Sequence, residues 1–298
     1  MTIYHTLPET PLEGPSSVAV GVFDGVHTGH KQVVEAAKQT GLSTVVLALE
    51  GCRKGARRLT IPQDKAQILS ALGVDVLCTA DLSEVQELSP EEFIDRILLR
   101  LFRAGRVACG FNFHFGKNAA GSAQDLTALC AARGIEAAVV PAVRQGGETV
   151  SSTRIRALIE AGDIPAASAL LGRPYGFTLP VSDGDKRGRT LGAPTINQHF
   201  PADFLLPRFG VYASFAEVEG KRYPAVTNIG VRPTVRSPYP LAETYLLGFS
   251  GDLYGRPVRV SLLRFLRGEQ KFSSLDELKA AIARDAESAS RIFRQMNS

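Results

Sequence analysis

The sequence predicts two domains of different fold class, an α/β domain with a parallel sheet followed by an antiparallel β-barrel. The chain has 298 residues, and at about 150 residues per domain two domains are expected. In the first half, short apolar strands alternate with helical stretches, which is typical of a parallel sheet covered on both faces. The second half changes to closely spaced strands punctuated by Gly and Pro, which favours an antiparallel barrel.

Each element of the first half is predicted from its own pattern. Apolar runs bounded by turn residues predict strands, and apolar positions at helical spacing predict helices. One helix has a clear start signal, because Ser89 is placed to cap it, Pro90 takes its first position and Glu92 completes a capping box. The predicted strands are 17–23, 43–49, 74–77, 106–111 and 135–141, and the predicted helices are 31–39, 64–73, 89–102 and 121–134.

The second half begins with two short helical stretches and ends in a longer helix. The predicted boundary lies near Gly172 to Tyr175, which divides the chain into residues 1–172 and 173–298. The predicted barrel strands are 210–218, 222–229, 242–249 and 259–266. The closing helix, residues 273–293, is predicted to bury an apolar face formed by Leu275, Leu278, Ile282 and Ile292.

Composition excludes several classes of protein. With 44% hydrophobic and 21% charged residues, the chain is neither disordered nor collagen-like nor a coiled coil. No apolar run approaches the roughly 20 residues of a membrane span, and the first residues lack a signal-peptide pattern, so we expect no membrane partner. No CxxC pair occurs, which predicts free, buried thiols in a reducing cytoplasm. The four cysteines are Cys52, Cys78, Cys109 and Cys130.

The net charge of +4 is weak evidence for any partner. The positive charges of the second half are single arginines, without the interleaved aromatic residues of a nucleic-acid surface. Such a half suits small anionic ligands as well as nucleic acid. We therefore expect small-molecule substrates and no nucleic-acid partner.

The first predicted strand runs into a Gly-rich turn that carries two of the five histidines, His27 and His30. A turn from strand to helix exposes backbone N–H groups and the positive end of the helix dipole, which favours anion binding. Imidazoles at that place stabilise charge on a transferring phosphoryl group, and Gly25 and Gly29 let the backbone approach phosphates. The alternatives are a turn with two exposed histidines, or a zinc site, for which no third ligand stands at the required spacing.

Two further segments favour phosphate binding. Residues 151–156, SSTRIR, place hydroxyls and guanidiniums at a predicted helix start, where they suit the phosphates of a nucleotide. Residues 109–121 follow a strand and combine three phenylalanines with Asn112 and His114. The alternative for the first segment is a capping serine with surface arginines, and for the second a hydrophobic strand end.

These segments, in this order, resemble the nucleotidyltransferase half of the prokaryotic bifunctional riboflavin kinase/FMN adenylyltransferase (FAD synthetase) family. The segments that carry this resemblance are residues 21–30, 110–116 and 151–156. The second half resembles the family's kinase at the domain junction, the Pro-Thr-x-Asn segment and two later motifs, which are residues 171–175, 188–197, 228–234 and 252–255.

The resemblance implies a Rossmann-like nucleotidyltransferase domain and a six-stranded antiparallel barrel with a closing helix. It implies that the barrel uses ATP to phosphorylate riboflavin to FMN, and that the first domain transfers AMP from ATP to FMN, giving FAD and pyrophosphate. It also implies that Mg²⁺ is held by Thr195 and Asn197, in agreement with the preference of Mg²⁺ for oxygen ligands. Glu243 matches the carboxylate that takes the proton from the riboflavin hydroxyl.

The resemblance also assigns the remaining site residues. In the first domain, His27 and His30 match catalytic residues. The matching ATP and phosphate contacts are Gly21, Phe23, Asp24, Gly25, Gly29, Asn112, Ser151, Ser152, Thr153, Arg154 and Arg156. In the barrel, the matching nucleotide and flavin contacts are Gly188, Arg189, Thr190, Gly192, Pro194, Thr195, Asn197, Asn228 and Arg232.

The sequence departs from the family at several positions. An aromatic-x-Pro-His-Pro segment usually follows the second strand, where this chain has residues 48–53, ALEGCR. Ala193 and Tyr245 stand where Phe and His are common. Two alternatives to the bifunctional enzyme therefore remain, a riboflavin kinase with an impaired adenylyltransferase domain and a non-catalytic flavin- or nucleotide-binding regulator.

Overall fold

The computed structural model describes residues 1–38, 41–51, 57–182, 195–231 and 240–296. The chain divides into two compact units, Met1–Ala56 with Pro62–Ser152, and Arg57–Ile61 with Thr153–Ser298. In the described part of the chain, no helix is both long and apolar enough to cross a membrane.

The first unit is built on a six-stranded sheet in which every pairing is parallel. The strands of the unit are β1 (Thr2–Tyr4), β2 (Ser16–Gly21), β3 (Ser43–Glu50), β4 (Val76–Asp81), β5 (Ala104–Gly110), β6 (His114–Phe115), β7 (Gly121–Ser122), β8 (Glu136–Val140), β9 (Arg144–Gln145) and β10 (Glu148–Thr149). The order in the large sheet is β1-β4-β3-β2-β5-β8. The predicted parallel α/β fold is confirmed.

Helices cover both faces of this sheet. They are α1 (Thr28–Lys38), α2 (Pro62–Ala71), α3 (Pro90–Glu92), which continues as a π-helix (Phe93–Leu101), and α4 (Ala123–Ala131). Alternate strand residues enter two separate apolar cores, with Val18 and Val20 of β2 on the α3–α4 side and Ala19 on the α1–α2 side. This alternation determines on which face of the sheet the chain continues after each strand ends.

The predicted ends of the helices and strands in the first unit are mostly close to the observed ones. Ser89 and Glu92 form the expected capping box, with Glu92 N donating to Ser89 Oγ at 3.1 Å. β4 begins two residues later than predicted, because the Asp75 carboxylate accepts a hydrogen bond from Thr44 N at 2.8 Å and ends the preceding turn. β1 was not predicted, since three mostly exposed residues give no apolar pattern.

The second unit contains two helices, six strands and a closing helix. These are α5 (Ser152–Ala161), α6 (Ile164–Leu171), β11 (Gly176–Pro180), β12 (Thr195–His199), β13 (Gly210–Val218), β14 (Lys221–Val231), β15 (Pro240–Leu246), β16 (Pro257–Arg267) and α7 (Leu275–Met296). The sheet order is β11-β16-β13-β14-β15-β12, and every pairing is antiparallel. An isolated antiparallel bridge from Ser182 to Asn197 nearly closes the sheet, so the predicted six-stranded barrel is confirmed.

The predicted apolar face of α7 is wrong at one position. Leu275 is the first residue of the helix and is 65% exposed. The buried residues are Ala281, Asp285 and Ala289, and Ile292 packs against the same core. The same stripe also buries a charged residue, Asp285, which forms an ion pair with Arg267, whose Nη2 lies 2.8 Å from Asp285 Oδ2.

Three of the four cysteines lie in the first unit as buried free thiols, as predicted, and Cys52 lies outside the described residues. Burial raises the pKa of Cys78 to about 12, and it raises the pKa values of Cys109 and Cys130 to about 11. At neutral pH these thiols are therefore protonated and unreactive.

Candidate active sites

The turn after β2 has a strained backbone. Phe23 and Val26 have φ angles of 51° and 40°, in the left-handed region that side chains other than Gly avoid, and Gly25 has 83°. Both non-glycine side chains are buried, so apolar packing holds the backbone in this conformation. Strain of this kind, retained by packing, is typical of functional turns.

The strained turn brings His27 and His30 into contact. Their rings stack with centroids 3.7 Å apart and planes at 14°. His27 is 7% exposed, and His30 is half-buried with its ring against that of Phe23 at 5.1 Å. A Cβ on Gly29 would stand 3.2 Å from the His27 ring, so Gly at this position leaves room for the stack.

One hydrogen bond orients His27. The backbone N–H of His30 donates to Nδ1 of His27 at 3.3 Å. Because Nδ1 accepts, the neutral ring carries its proton on Nε2, and that N–H is oriented as a donor. The backbone carbonyl of His27 accepts from Lys31 N at 3.0 Å and begins the hydrogen bonding of α1. His27 therefore stands at a helix N-terminus, where an anion is favoured.

The ends of neighbouring strands bring the other predicted residues of this unit to the same edge. β2, β5 and β8 are adjacent, and the chain beyond β8 returns so that Ser152 Oγ donates to the carbonyl of Asp24 at 2.9 Å. Asp24 is 8% exposed, and Ser151 is half-buried. Gly21 ends β2, with the position of its absent Cβ 3.4 Å from the Phe23 ring.

The loop after β5 presents polar groups above an aromatic pair. Phe113 and Phe115 stack with centroids 5.8 Å apart, and Phe115 is buried in the α3–α4 core. Asn112 and His114 are exposed, with the His114 ring Nδ1 3.1 Å from the Asn112 carbonyl. Phe111, at the end of β5, is 46% exposed. The loop therefore offers both hydrogen-bonding and stacking surfaces.

The rest of the SSTRIR segment belongs to the second unit. Thr153 is exposed, and Arg154 and Arg156 are half-buried. The Nε of Arg156 donates to the carbonyl of Arg57 at 3.2 Å. These residues lie in the first turns of α5, as predicted for hydroxyls and guanidiniums at a helix start.

An ion pair stands beside the position where the Pro-His-Pro segment is absent. Glu50, the last residue of β3, accepts from Lys65 Nζ at 2.7 Å. Lys65 is 6% exposed, so α2 delivers a buried cation to the carboxyl end of β3. The next residue is Gly51, where an added Cβ would stand 3.1 Å from Asp81 Oδ2. Glu50 lies in segment 48–53, where the sequence departs from the family, but its pairing with Lys65 was not predicted.

In the barrel, three predicted residues stand side by side on three neighbouring strands. Glu243 of β15 is paired with Asn197 of β12 on one side and with Asn228 of β14 on the other. Directly paired residues of antiparallel strands point to the same side, with Cβ atoms about 4.5–5.5 Å apart. Thr195 and Tyr245 form the next pair on this side. Asn197 is 5% exposed, and Glu243 and Asn228 are half-buried.

Hydroxyl groups form a buried chain on the opposite side of the same strands. Ser214 and Thr227 are joined at 2.8 Å, and Thr227 and Thr244 at 3.0 Å, all three fully buried. Since Thr227 and Thr244 alternate with Asn228 and Glu243, the latter lie on the outer face of the barrel sheet. This row of hydroxyl groups, which was not predicted, fixes the lateral register of β13, β14 and β15.

Backbone bonds also fix Asn197. Its carbonyl accepts from Ser182 N at 2.8 Å and from Ser182 Oγ at 3.1 Å. Six further predicted barrel residues lie outside the described residues: Gly188, Arg189, Thr190, Gly192, Pro194 and Arg232.

The donor set of the barrel fits a hard cation. Thr195 and Asn197 supply a hydroxyl and an amide oxygen, which are suitable ligands for Mg²⁺. Among the described residues, no group of three or more His, Cys, Asp or Glu side chains stands where it could hold a metal. Mg²⁺ is commonly bound by one or two protein oxygens together with substrate phosphates, and this arrangement needs no larger protein cage.

Comparison with known proteins matches a different family model to each half of the chain. A family model described as FAD synthetase matches residues 10–154, and one described as riboflavin kinase matches residues 171–293. Among curated relatives, the bifunctional riboflavin kinase/FMN adenylyltransferase of Listeria monocytogenes is 35% identical, over 94% of this chain and 93% of the relative. The protein of the same description from Escherichia coli K12 is 36% identical, over 97% and 96%.

A solved structure is similar over almost the whole chain. It is described as a macrolide-efflux protein from Streptococcus pneumoniae and has a TM-score of 0.86 and 28% identity. The match covers 97% of this chain and 98% of that one.

Proposed function

The chain belongs to the bifunctional riboflavin kinase/FMN adenylyltransferase family, and we propose that its two reactions take place at the two groups of residues described above. Its function is to phosphorylate riboflavin to FMN with ATP, and to transfer AMP from ATP to FMN, giving FAD and pyrophosphate. This confirms the bifunctional prediction. No observation favours the two alternatives, the kinase alone and the non-catalytic regulator.

For the adenylyltransferase, the stacked pair His27 and His30 supports a role in stabilising charge on the transferred phosphoryl group. An oxygen of the FMN phosphate attacks the α-phosphorus of ATP, and pyrophosphate leaves. Negative charge grows on the phosphoryl oxygens in this step. The Nε2–H of His27 is oriented by the hydrogen bond to its Nδ1, so it donates without reorganisation.

The surrounding residues of the first unit are proposed to bind ATP. Gly25 and Gly29 open the turn to phosphate groups, and Ser152 is held against Asp24 by its hydrogen bond. Asn112 is exposed on the loop after β5. Gly21, Phe23 and Ser151 complete the proposed set in the first unit, and the family resemblance adds Thr153, Arg154 and Arg156, which belong to the second unit.

For the kinase, the single observation that carries the proposal is the alignment of Asn197, Glu243 and Asn228 at one level of the barrel sheet. The 5′-hydroxyl of riboflavin attacks the γ-phosphorus of ATP, and ADP leaves. Glu243 accepts the hydroxyl proton as the bond forms. Asn197 stands on one side of this base, where it contacts the nucleotide, and Asn228 stands on the other side, toward the flavin.

Mg²⁺ is proposed to bind at Thr195 and Asn197 together with ATP phosphates. When bound, it would neutralise charge on the transferring phosphoryl group. The protein's part is to present two oxygen donors from one strand beside the proposed base. Removal of divalent cations with a chelator is expected to stop FMN formation, and added Mg²⁺ is expected to restore it. FMN formation that continues in excess chelator would contradict this role.

The domain boundary remains a proposal. We place it after Gly172, while the family models leave residues 155–170 between them and the compact units divide at Ser152. We also propose a reducing cytoplasm as the location, since three free thiols are buried in the first unit. The proposed partners are the small molecules riboflavin, FMN and ATP.

One assay tests the function as a whole. Purified protein is incubated with riboflavin, ATP and Mg²⁺, and FMN and FAD are separated by chromatography over time. We expect FMN to form first and FAD to follow. FMN that accumulates without FAD at high enzyme concentration would leave only the kinase.

A further inference from the structure

A second carboxylate reaches the outer face of the barrel beside the proposed kinase base. Glu269 follows β16, and its Oε1 lies so close to Gly230 that a Cβ on that glycine would overlap it. Gly230 is two residues beyond Asn228 on β14, so both positions face the same side of the sheet. Glu269 therefore lies on the face that carries Asn228 and Glu243.

Two glycines admit the segment that carries this carboxylate. Residues 267–269, the crossing segment, pass over the start of β13 to reach β14. A Cβ on Gly210 would overlap the carbonyl oxygen of Arg267 and stand 3.1 Å from Gly268 Cα. Gly210 also has a φ of 142°, which other residues rarely adopt. A side chain at Gly210 would displace the backbone of the crossing segment, whereas one at Gly230 would displace only the carboxylate of Glu269.

An ion pair anchors the crossing segment at its start. Arg267 donates to Asp285 of α7 through two nitrogens, with Nη2 at 2.8 Å and Nε at 3.1 Å from Oδ2. Asp285 is 8% exposed, and Arg267 also lies over the Phe272 ring at 5.6 Å. By contrast, the exposed Glu269 carboxylate has neither a hydrogen-bond nor an ion-pair partner among the residues that the structure describes.

The order of strands places Glu269 on one side of the proposed base. Reading across the sheet, β12 carries Thr195 and Asn197, β15 carries Glu243, and β14 carries Asn228. Gly230, beside which Glu269 lies, is two residues beyond Asn228 on β14, or about 7 Å at a rise of about 3.4 Å per residue. Glu269 is therefore separated from the nucleotide side by the base and stands on the flavin side.

We propose that Glu269 binds riboflavin by accepting hydrogen bonds from the hydroxyl groups of its ribityl chain. The inference rests on the proposed kinase site at Glu243. The ribityl chain ends in the hydroxyl that Glu243 deprotonates, and its other hydroxyls extend from that point toward the flavin ring. A carboxylate has only acceptor oxygens, which suit a row of hydroxyl donors. Gly230 is then a specificity-determining position, because its missing side chain admits the carboxylate.

Steady-state kinetics of FMN formation with Glu269→Gln, Glu269→Ala and Gly230→Ala test this proposal in the full chain. We expect the KM for riboflavin to rise about 10-fold or more with Glu269→Ala, the usual size for a lost hydrogen bond to a charged group. Glu269→Gln should raise it less, because the amide oxygen still accepts. The KM for ATP and the conversion of FMN to FAD should not change, which also shows that the variants fold. Glu219→Gln, an exposed carboxylate at the β13–β14 turn, is the matched control.

Inhibition by lumiflavin, which has the isoalloxazine ring but no ribityl chain, locates the contact. We expect its inhibition constant to be the same in the wild type and in Glu269→Ala. An unchanged KM for riboflavin in Glu269→Ala, or an equal loss of lumiflavin binding, would overturn the proposal. Glu243→Gln is measured in parallel. If it forms FMN at the wild-type rate, the proposed kinase site is wrong. If it loses most of this activity while the Glu269 variants keep the wild-type KM for riboflavin, only the role of Glu269 is contradicted.

Discussion

The two candidate sites are assembled in different ways. The histidine pair lies within one strand-to-helix turn, and a few neighbouring residues determine its geometry, among them Phe23, Val26 and Gly29. The barrel site instead combines Asn197, Asn228 and Glu243, which come from three strands and meet only through pairing. The first geometry depends on local backbone strain, and the second depends on strand register.

This difference has consequences for what damages each site. A one-residue slip of β15 would turn Glu243 to the barrel interior, since side chains alternate between the faces of a strand. The buried hydroxyl chain of Ser214, Thr227 and Thr244 resists such a slip, because a slip would leave its members unpaired. The histidine turn has no register to lose, but a small added group at Gly29 alters it. Single substitutions should therefore separate the two activities.

The largest effect is expected from Glu243→Gln. The amide keeps the shape of the side chain but cannot take the hydroxyl proton, so FMN formation should fall about 10²–10⁴-fold. The conversion of supplied FMN to FAD should be unchanged, because the catalytic pair proposed for that reaction, His27 and His30, lies in the first unit. The measurement is initial-rate chromatography of each product from its own substrate.

Glu217→Gln is the control for this variant. Glu217 lies near the end of β13 and pairs with Arg222 at 2.9 Å, so its loss should leave both rates within about twofold, as for an exposed ion pair. A Glu243→Gln enzyme that phosphorylates riboflavin at the wild-type rate would show that the base is elsewhere or that none is needed.

The next effect is expected from His27→Ala and His30→Ala. Each removes one member of the stacked pair, and loss of one preorganised donor costs on the order of 10²-fold in rate. FAD formation from FMN should fall by that amount in each variant, and FMN formation should be unchanged. His5→Ala, an exposed histidine of the same unit, should have no effect. An equal decrease of both activities would indicate misfolding instead of a catalytic role.

The same contrast explains how much the sequence predicted. The histidine turn, the capping box at Ser89 and most strands follow from short segments, and the structure agrees with them. Strands β11 and β12 give weak apolar patterns, so the number of six strands in the barrel followed only from the family resemblance. The alignment of Asn197 with Glu243 depends on pairing of residues 46 positions apart in the sequence, which no local pattern contains.

The unpredicted features involve charged groups that fold into the interior. Asp285 is buried because Arg267 reaches it from β16, and Lys65 is buried because Glu50 stands at the end of β3. A hydrophobic pattern assigns charged residues to the surface, so it did not place Asp285 on the buried face of α7. Such pairs become visible only when the two elements are placed against each other.

A smaller effect is expected from Gly29→Ala. Its Cβ would stand 3.2 Å from the His27 ring, which is tighter than an ordinary contact, so the ring must shift by a few tenths of an ångström. We expect FAD formation to fall about tenfold. Unfolding should need as much free energy as before or slightly more, because Ala is the better helix former. Chromatography of FAD and thermal unfolding give the two quantities.

Gly14→Ala is the matched control, since nothing lies within 4 Å of its added Cβ. It should leave FAD formation unchanged. If Gly29→Ala is as active as Gly14→Ala, the geometry of the histidine stack does not limit the reaction.

The smallest effect on FMN formation is expected when the two regions are separated. Fragments 153–298 and 173–298 both contain Glu243, Asn197 and Asn228, so both should phosphorylate riboflavin and neither should form FAD. The shorter fragment lacks α5 and α6, and each of these helices makes a hydrogen bond to the rest of the unit. In α5 the carbonyl of Ile159 accepts from Arg208 N at 3.3 Å, and in α6 Ser168 Oγ accepts from Tyr175 N at 3.0 Å. It should therefore melt about 5 °C or more below the longer one, as expected for the loss of 1 kcal/mol or more in a domain of this size. Equal melting temperatures would support the boundary after Gly172, whereas a folded longer fragment that makes no FMN would show that the kinase needs residues of the first unit.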